Sequence, residues 1–386
     1  MTKWTAIWLL LIAELLSMAV WFSASAAAPA LSAAWRLDDS GRAWLTMSVQ
    51  AGFVAGALLS ALLNLSDRVR AHVLFAWSAI AASAATASIA IFAQSLAPAV
   101  ALRFATGFFL AGVYPVGMKI VATWTTTDRG LGIGLLVGAL TLGSAAPHLL
   151  NVLGANNDWR FVHYVSAACA AAGGLIAAAF VREGPNRGAA AKFRWGYAGA
   201  ILRDRPVLLA NLGYLGHMWE LYAMWAWIAA YSKSSSIAFA AIAAGAPGCV
   251  IAGKLADKMG RTTITIASMA ISGACAIGIG VFYGDGAALI AIAVLWGFAI
   301  VADSAQFSAC ITELGAREYL GTALTLQTSL GFLLTMFTIR LVPWVQARTG
   351  ERWSFSVLAI GPALGIVAMA ILRRDPAAEK IAGGRR

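Results

Sequence analysis

The chain has 386 residues, 60% of them hydrophobic, with a mean hydropathy of +0.77 and only 12% charged side chains. Charge this sparse, about half of what a soluble domain carries, excludes a water-soluble globular protein and makes lipid the natural solvent. The net charge of +11 does not indicate nucleic acid: the basic residues sit in short segments between apolar runs, where a membrane protein uses them to set its orientation.

Apolar segments of spanning length fall at 5–28, 43–65, 72–94, 97–121, 131–151, 161–181, 207–231, 236–256, 263–283, 287–311, 320–343 and 354–372. Each can cross a hydrocarbon core about 30 Å thick, and they are numbered here helix 1 to helix 12. Helix 1 follows Lys3 and runs into Ala24-Ser25-Ala26, a pattern shared with signal peptides. Glu14 in the middle of that run, and a matching segment in helix 7, favour an uncleaved first crossing. Glycines recur at close spacing, as in Gly52/Gly56 and Gly134/Gly138, which lets helices approach closely in lipid.

The longest polar connector runs from Arg182 to Arg205 and carries Arg187, Lys192, Arg194 and Arg203 between them. It divides the chain into an N-terminal bundle, 1–182, a cytoplasmic linker, 183–205, and a C-terminal bundle, 206–386, with a short cytoplasmic tail. If the N-terminus is cytoplasmic, the connector, Arg68, Arg70, Arg129, Lys254, Lys258, Arg261, Arg373 and Arg374 all fall inside. Only Arg36, Arg42, Arg160, Lys233, Arg340, Arg348 and Arg352 fall outside. The bias predicts a multi-pass protein of the cytoplasmic (inner) membrane with both termini cytoplasmic. Cys169, Cys249, Cys275 and Cys310 lie in apolar segments without CxxC spacing, so they read as small packing residues rather than a disulfide or metal site. No cofactor is expected.

The two halves read as a repeat. Glu14, Leu15, Met18 and Trp21 in helix 1 recur at the same spacing as Glu220, Leu221, Met224 and Trp227 in helix 7. Asp67-Arg68-Val69-Arg70 after helix 2 answers Asp257-Lys258-Met259-Gly260-Arg261 after helix 8. Gly107-Phe108 in helix 4 answers Gly297-Phe298 in helix 10. Parallel repeats of this kind are an architecture of secondary transporters.

These residues resemble the major facilitator superfamily. Gly253-Lys254-Leu255-Ala256-Asp257-Lys258-Met259-Gly260-Arg261 matches the family's loop signature. The earlier copy keeps Leu65, Asp67 and Arg68 but has Leu63 and Arg70 where the family usually has glycine. Arg103 with Gly107 and Gly112 resembles the family's arginine-glycine motif in helix 4. The glycine-proline motif of many antiporters is degraded here, with Gly134, Gly138, Gly143 and Pro147 in a different order. The resemblance implies an all-α integral membrane fold of about twelve transmembrane helices in two pseudo-symmetric six-helix bundles. It also implies that Asp67, Arg68, Gly253, Asp257, Lys258, Gly260 and Arg261 form a latch between the halves on the cytoplasmic side. Independently of the family, the aspartates can face the partly positive N-terminus of a neighbouring helix, or the loops can serve topology alone.

The crossings hold few ionisable groups: Glu14 in helix 1, Arg103 and Lys119 in helix 4, His217 and Glu220 in helix 7, and Asp303 in helix 10, with His148 near the outer end of helix 5. A charge at the bilayer centre costs about 2.5–3.5 kcal/mol on the insertion scale, so such groups persist where they meet water, a partner or a substrate. The central ones all fall on helices 1, 4, 7 and 10, which the resemblance makes the cavity-lining helices. A carboxyl group in a low-dielectric cavity can cycle between neutral and charged forms, which points to proton coupling through Glu220, Asp303 or Glu14. His217, three residues before Glu220, shares its helix face. Arg103 can pair with a carboxylate or hold a substrate anion, and Lys119 can snorkel to the cytoplasmic surface. Tyr114, Tyr222, Trp225, Gln306 and Gln327 complete the candidate substrate or coupling residues, with Trp21, Trp227, Gln50 and Ser304 as further cavity candidates.

No HExxH, GxSxG or GxxxxGK[ST] pattern occurs, so an enzyme or an ATP-driven pump is not expected. A channel would show a selectivity filter or charged ring, and a sensor an output domain. The expected partners are a small-molecule substrate, protons and the lipid bilayer, with no nucleic acid, and the expected state is a monomer. Import by symport, export by antiport and facilitated diffusion share this architecture, and the substrate stays open.

Overall fold

The computed structural model describes residues 1–125, 128–153, 158–186, 193–316 and 318–386, apart from the side chains of 66, 67 and 129. The described residues form helices and their connecting turns. Helix 1 is Lys3–Met18, continued by Ser23–Ala26 and Ala28–Trp35, and helix 2 is Asp39–Leu62. Helix 3 is Ala71–Phe92, helix 4 is Leu96–Leu110 followed by Tyr114–Trp124, helix 5 is Arg129–Leu153 and helix 6 is Trp159–Phe180. Helix 7 is Arg205–Ser232, helix 8 Ser235–Met259 and helix 9 Arg261–Val281. Helix 10 is Gly286–Ala302 followed by Ser304–Leu314, helix 11 Leu320–Thr349 and helix 12 Ile360–Arg374.

Among the described residues ten of these crossings are long and apolar enough to span a bilayer outright. The other two are helix 1, whose unbroken part is only 16 residues, and helix 7, which is long but carries Asn211, His217 and Glu220. Leu153, Trp77 and Phe92 are about 70% exposed, and side chains this apolar find their solvent in acyl chains. The protein is a multi-pass membrane protein.

The helices begin where short polar side chains satisfy the unpaired N–H groups of a first turn. Asp38 accepts from Gly41 N at 2.7 Å, Asp158 from Arg160 N at 2.9 Å, Asp285 from Ala288 N at 3.1 Å and Ser234 from Ile237 N at 3.3 Å. Glu183, distant in sequence, accepts from Ala71 N at 2.7 Å at the start of helix 3. Helix 8 ends at Gly260, whose φ of +93° suits glycine alone. A side chain there would also strike the Arg386 carbonyl.

The packing repeats with an offset of six helices. In the first half helix 1 packs on 5 and 6, helix 2 on 4, and helix 3 on 4 and 6; in the second half 7 packs on 11 and 12, 8 on 10, and 9 on 10 and 12. The halves meet where helix 5 packs on 8 and helix 2 on 11, which are again equivalent pairs. The repeated glycines explain the closest of these contacts. A Cβ at Gly107 would sit 2.0 Å from the Val49 carbonyl of helix 2, and one at Gly297 1.7 Å from the Ala241 carbonyl of helix 8. The fold is therefore two pseudo-symmetric six-helix bundles, as the sequence led us to expect.

Candidate functional site

Of helices 1, 4, 7 and 10, which carry Glu14, Arg103, Lys119, His217, Glu220 and Asp303, three are broken partway along. Helix 4 stops at Leu110 and restarts at Tyr114 because Pro115 lacks the N–H that would continue the ladder and crowds the preceding turn. Helix 10 breaks at Asp303, between Ala302 and Ser304. Helix 1 breaks over residues 19–22, and Arg103 holds that break. Its Nη1 donates to the Val20 carbonyl at 2.7 Å and to Ser23 Oγ at 3.1 Å, its Nη2 to the Trp21 carbonyl, and its Nε to the Leu45 carbonyl of helix 2 at 3.2 Å. Among the described residues its partners are thus carbonyls and a hydroxyl, where the sequence offered a carboxylate or a substrate anion. The physical reason is that a broken helix end leaves carbonyls that only a donor can satisfy in lipid. Sequence reasoning missed the breaks, although Gly112 and Pro115 flag the one in helix 4.

Breaking helix 1 turns Trp21 and Phe22 onto helices 7 and 11. Trp21 lies 5.8 Å from Tyr222 and 5.5 Å from Phe332, Phe22 lies 5.7 Å from Trp225, and Phe53 lies 4.5 Å from Phe332 between ring centroids. These six rings form a layer across the interface between the halves. On one side lies a cavity of about 560 Å³ walled by residues that include Ser25, Thr46, Asn151, Trp227 and Gln346. On the other lies one of about 460 Å³ walled by residues that include Tyr114, Lys119, Gln306, Thr325 and Arg261. The second opens toward the loops that carry Arg68, Lys258 and Arg261, called here the basic end; the first opens toward the far end. Along helix 11 the order is Thr325, Phe332, Gln346: one cavity, the layer, the other cavity.

At the far end Asn151 of helix 5 donates to the Ala26 carbonyl at 3.2 Å and to Ser235 Oγ of helix 8 at 2.8 Å, which ties the halves together. The mouth carries an ion pair between Lys233 and Glu351 at 3.2 Å, and Tyr283 also donates to Glu351. That carboxylate raises both the Lys233 ammonium and the Tyr283 phenol above their ordinary pKa values.

The buried acids have unlike surroundings. Glu220 is fully enclosed between helices 7, 9 and 10, where its carboxylate accepts from Ser272 Oγ at 2.5 Å and Trp296 Nε1 at 3.3 Å. Asp303, at the break of helix 10, lies 2.8 Å from His217 Nδ1, within ion-pair distance though not aligned as a hydrogen bond. Both side chains are buried, with Tyr214 and Phe307 against the imidazole. His217 therefore faces Asp303, not the carboxyl of Glu220 with which it shares a helix face. Glu14 is also fully buried, and neither carboxyl oxygen makes a hydrogen bond among the described residues. It lies against helix 4, where a Cβ at Gly117 would come within 2.9 Å of Oε2.

The remaining candidates collect at the basic end. Arg261 is the hub: its guanidinium binds Glu313 through Nε at 2.9 Å and Nη2 at 2.7 Å, donates to Gln306 Oε1 at 2.8 Å, and lies 3.6 Å from Asp257. Glu313 escaped the sequence reading because it sits at a helix end, where an acid is unremarkable. Asp257 faces the other half, its carboxylate against Gly130 in the first turn of helix 5. Gly253 meets the Gly130 carbonyl in the same seam. Lys258 and Arg68 are exposed, and the side chain of Asp67 lies outside the described residues. Lys119 and Tyr114 line the nearby cavity. Gln327 accepts from Ser308 Oγ at 3.2 Å, and its Nε2 makes no hydrogen bond among the described residues. Tyr222 and Trp225 belong to the aromatic layer and not to either polar cluster. Among the described residues no group of three His, Cys, Asp or Glu is placed to hold a metal ion.

No curated protein matches the chain. The family model for the Major Facilitator Superfamily matches residues 10–339. With that match spanning most of the chain, over two equivalent six-helix bundles whose facing helices enclose a cavity on each side of an aromatic layer, the chain belongs to the major facilitator superfamily of membrane transporters.

Proposed function

We propose that the protein is a proton-coupled secondary transporter of the cytoplasmic membrane that carries a small solute by alternating access. The basic end faces the cytoplasm, following the positive-inside rule, and both termini lie there. The halves 1–182 and 206–386, joined by the connector 183–205, rock about the aromatic layer and open the two cavities in turn.

The observation that carries this reading is the buried His217–Asp303 pair at the break of helix 10. With a proton aboard, imidazolium and carboxylate are net neutral. Without it, a net negative charge remains in a low-dielectric interior, a costly state unless water reaches it. Protonation thereby selects between a closed and an open arrangement. Asp303 also begins the short helix Ser304–Leu314, which bears Gln306 and Glu313, and both hold Arg261 beside Asp257. A shift at the pair reaches the latch at Gly130 through one rigid segment.

Single cysteines at Gln346 and Thr325, on either side of the layer on helix 11, test alternation in a background lacking the four native cysteines. We expect the labelling by a membrane-impermeant maleimide to change in opposite directions when pH is lowered from 8 to 6. Rates that rise and fall together, or that do not change, would contradict alternating access.

A further inference from the structure

The aromatic layer contains polar atoms that the fold leaves without partners. Trp21 Nε1 and Trp225 Nε1 within it, and both amide atoms of Gln50 one turn before Phe53 on helix 2, are buried and make no hydrogen bond among the described residues. Four other indoles are satisfied: Trp124 donates to the Arg182 carbonyl, Trp219 to Val357, Trp227 to Ile339 and Trp296 to Glu220. A buried amide or indole N–H without a partner loses its hydration uncompensated, so several in one place mark a site whose partner arrives from outside.

Their position supports this. Thr46, Gln50, Phe53 and Ala57 follow one face of helix 2 at helical spacing. Thr46 lines the far cavity and Ala57 the basic-end cavity. Gln50 and Phe53 therefore lie on the route between the two. On helix 1, Trp21 precedes by one turn Ser25, which lines the far cavity.

We propose that this layer is the substrate site and that it takes an uncharged, flat molecule rich in hydrogen-bond acceptors, such as an aromatic or heteroaromatic amide. The proposal rests on the transporter reading above and gives its substrate class. Charge is selected against because none of the six rings nor Gln50 carries a charge, and the Arg103 guanidinium, which meets the layer at the Trp21 carbonyl, already directs its donors to the Val20, Trp21 and Leu45 carbonyls and to Ser23. Glu220 turns away toward Ser272 and Trp296, and at the far mouth Lys233 and Glu351 are paired with each other. A fixed charge entering the layer would lose its hydration without a counter-ion. Acceptors are favoured because the unpaired groups are mostly donors: two indole N–H groups and the amide NH₂ against one amide oxygen. A flat π surface is favoured because the walls are six rings that stack or meet edge to face.

Three probes of one shape and different charge decide it: 2-naphthamide, 2-naphthoate and 2-naphthylmethylammonium, titrated calorimetrically into purified protein in detergent. We expect 2-naphthamide to bind at least tenfold more tightly than either ion. Gln50→Leu and, separately, Trp225→Phe should each weaken it about tenfold. Gln50→Leu should do so without lowering the thermal midpoint of the ligand-free protein, because its amide has no hydrogen bond to lose among the described residues, whereas Trp225→Phe also gives up buried ring packing and lowers that midpoint. Equal affinity for a charged probe, no binding of the amide, or amide affinity unmoved in both variants would overturn the proposal. Equilibrium binding needs no transport. Loss of the opposed cysteine labelling with amide binding intact would therefore remove the carrier reading alone, and the reverse result would remove the substrate class alone.

Discussion

The two halves share a packing plan and use their buried polar groups differently. In the second half, Glu220, His217, Asp303 and Arg261 are each engaged by another side chain. In the first half, Arg103 is taken up by the main chain of a broken helix, and Glu14, which stands where Glu220 stands in the repeat, makes no hydrogen bond among the described residues. The glycines that set helix 2 on 4 and helix 8 on 10 are matched; the polar networks are not. The two halves share their backbone geometry, while the buried Glu220 and His217–Asp303 contacts and the bidentate Arg261–Glu313 pair at the basic end all lie in the second.

The largest effect that would break this comparison belongs to Arg103. Arg103→Ala should leave the Val20, Trp21 and Leu45 carbonyls buried without donors and lower unfolding stability in mixed micelles by about 3 kcal/mol or more. An Arg103→Ala protein as stable as the wild type would mean that the break does not depend on it. Next come the matched glycines. Gly107→Ala and Gly297→Ala should each cost about 1–3 kcal/mol by forcing apart helices in direct backbone contact, and similar losses in both would confirm that the packing is equivalent. If only one were costly, the shared plan would be wrong.

Smaller effects separate the acids. Glu220→Gln keeps the size but sets an amide NH₂ where Ser272 or Trp296 donates, so it should destabilise by about 1–2 kcal/mol. Glu14→Gln, which loses no bond, should move the same denaturation midpoint by no more than about 0.5 kcal/mol. Equal losses would show that Glu14 has a structural partner after all.

Much of the fold was legible because lipid imposes simple rules. Hydrophobic length marks the crossings, and the recurrence of Gly107-Phe108 as Gly297-Phe298 reflects real backbone contacts between equivalent helices. The charged positions in helices 1, 4, 7 and 10 were equally visible, since few such residues occur there. Their partners were not. Nothing in the order of residues says that Arg103 reaches across to residues 20, 21 and 45, because that depends on a break in helix 1 with no proline or glycine at the point of failure. Nor does spacing alone show that His217 meets Asp303 across two helices instead of Glu220 on its own. Glu313 gained its place only through the end of helix 10 swinging beneath Arg261, a tertiary consequence of the break at Asp303.

The most direct test of the account is a spin–spin distance across the basic-end cavity. Labels at Ser60 on helix 2 and Thr325 on helix 11, in protein free of native cysteines and set in lipid nanodiscs, report how far the halves stand apart there. We expect two distance populations whose ratio shifts between pH 8 and pH 6, and a ratio in Asp303→Asn that no longer responds to pH. A single distance at every pH, or an unchanged response in Asp303→Asn, would contradict it.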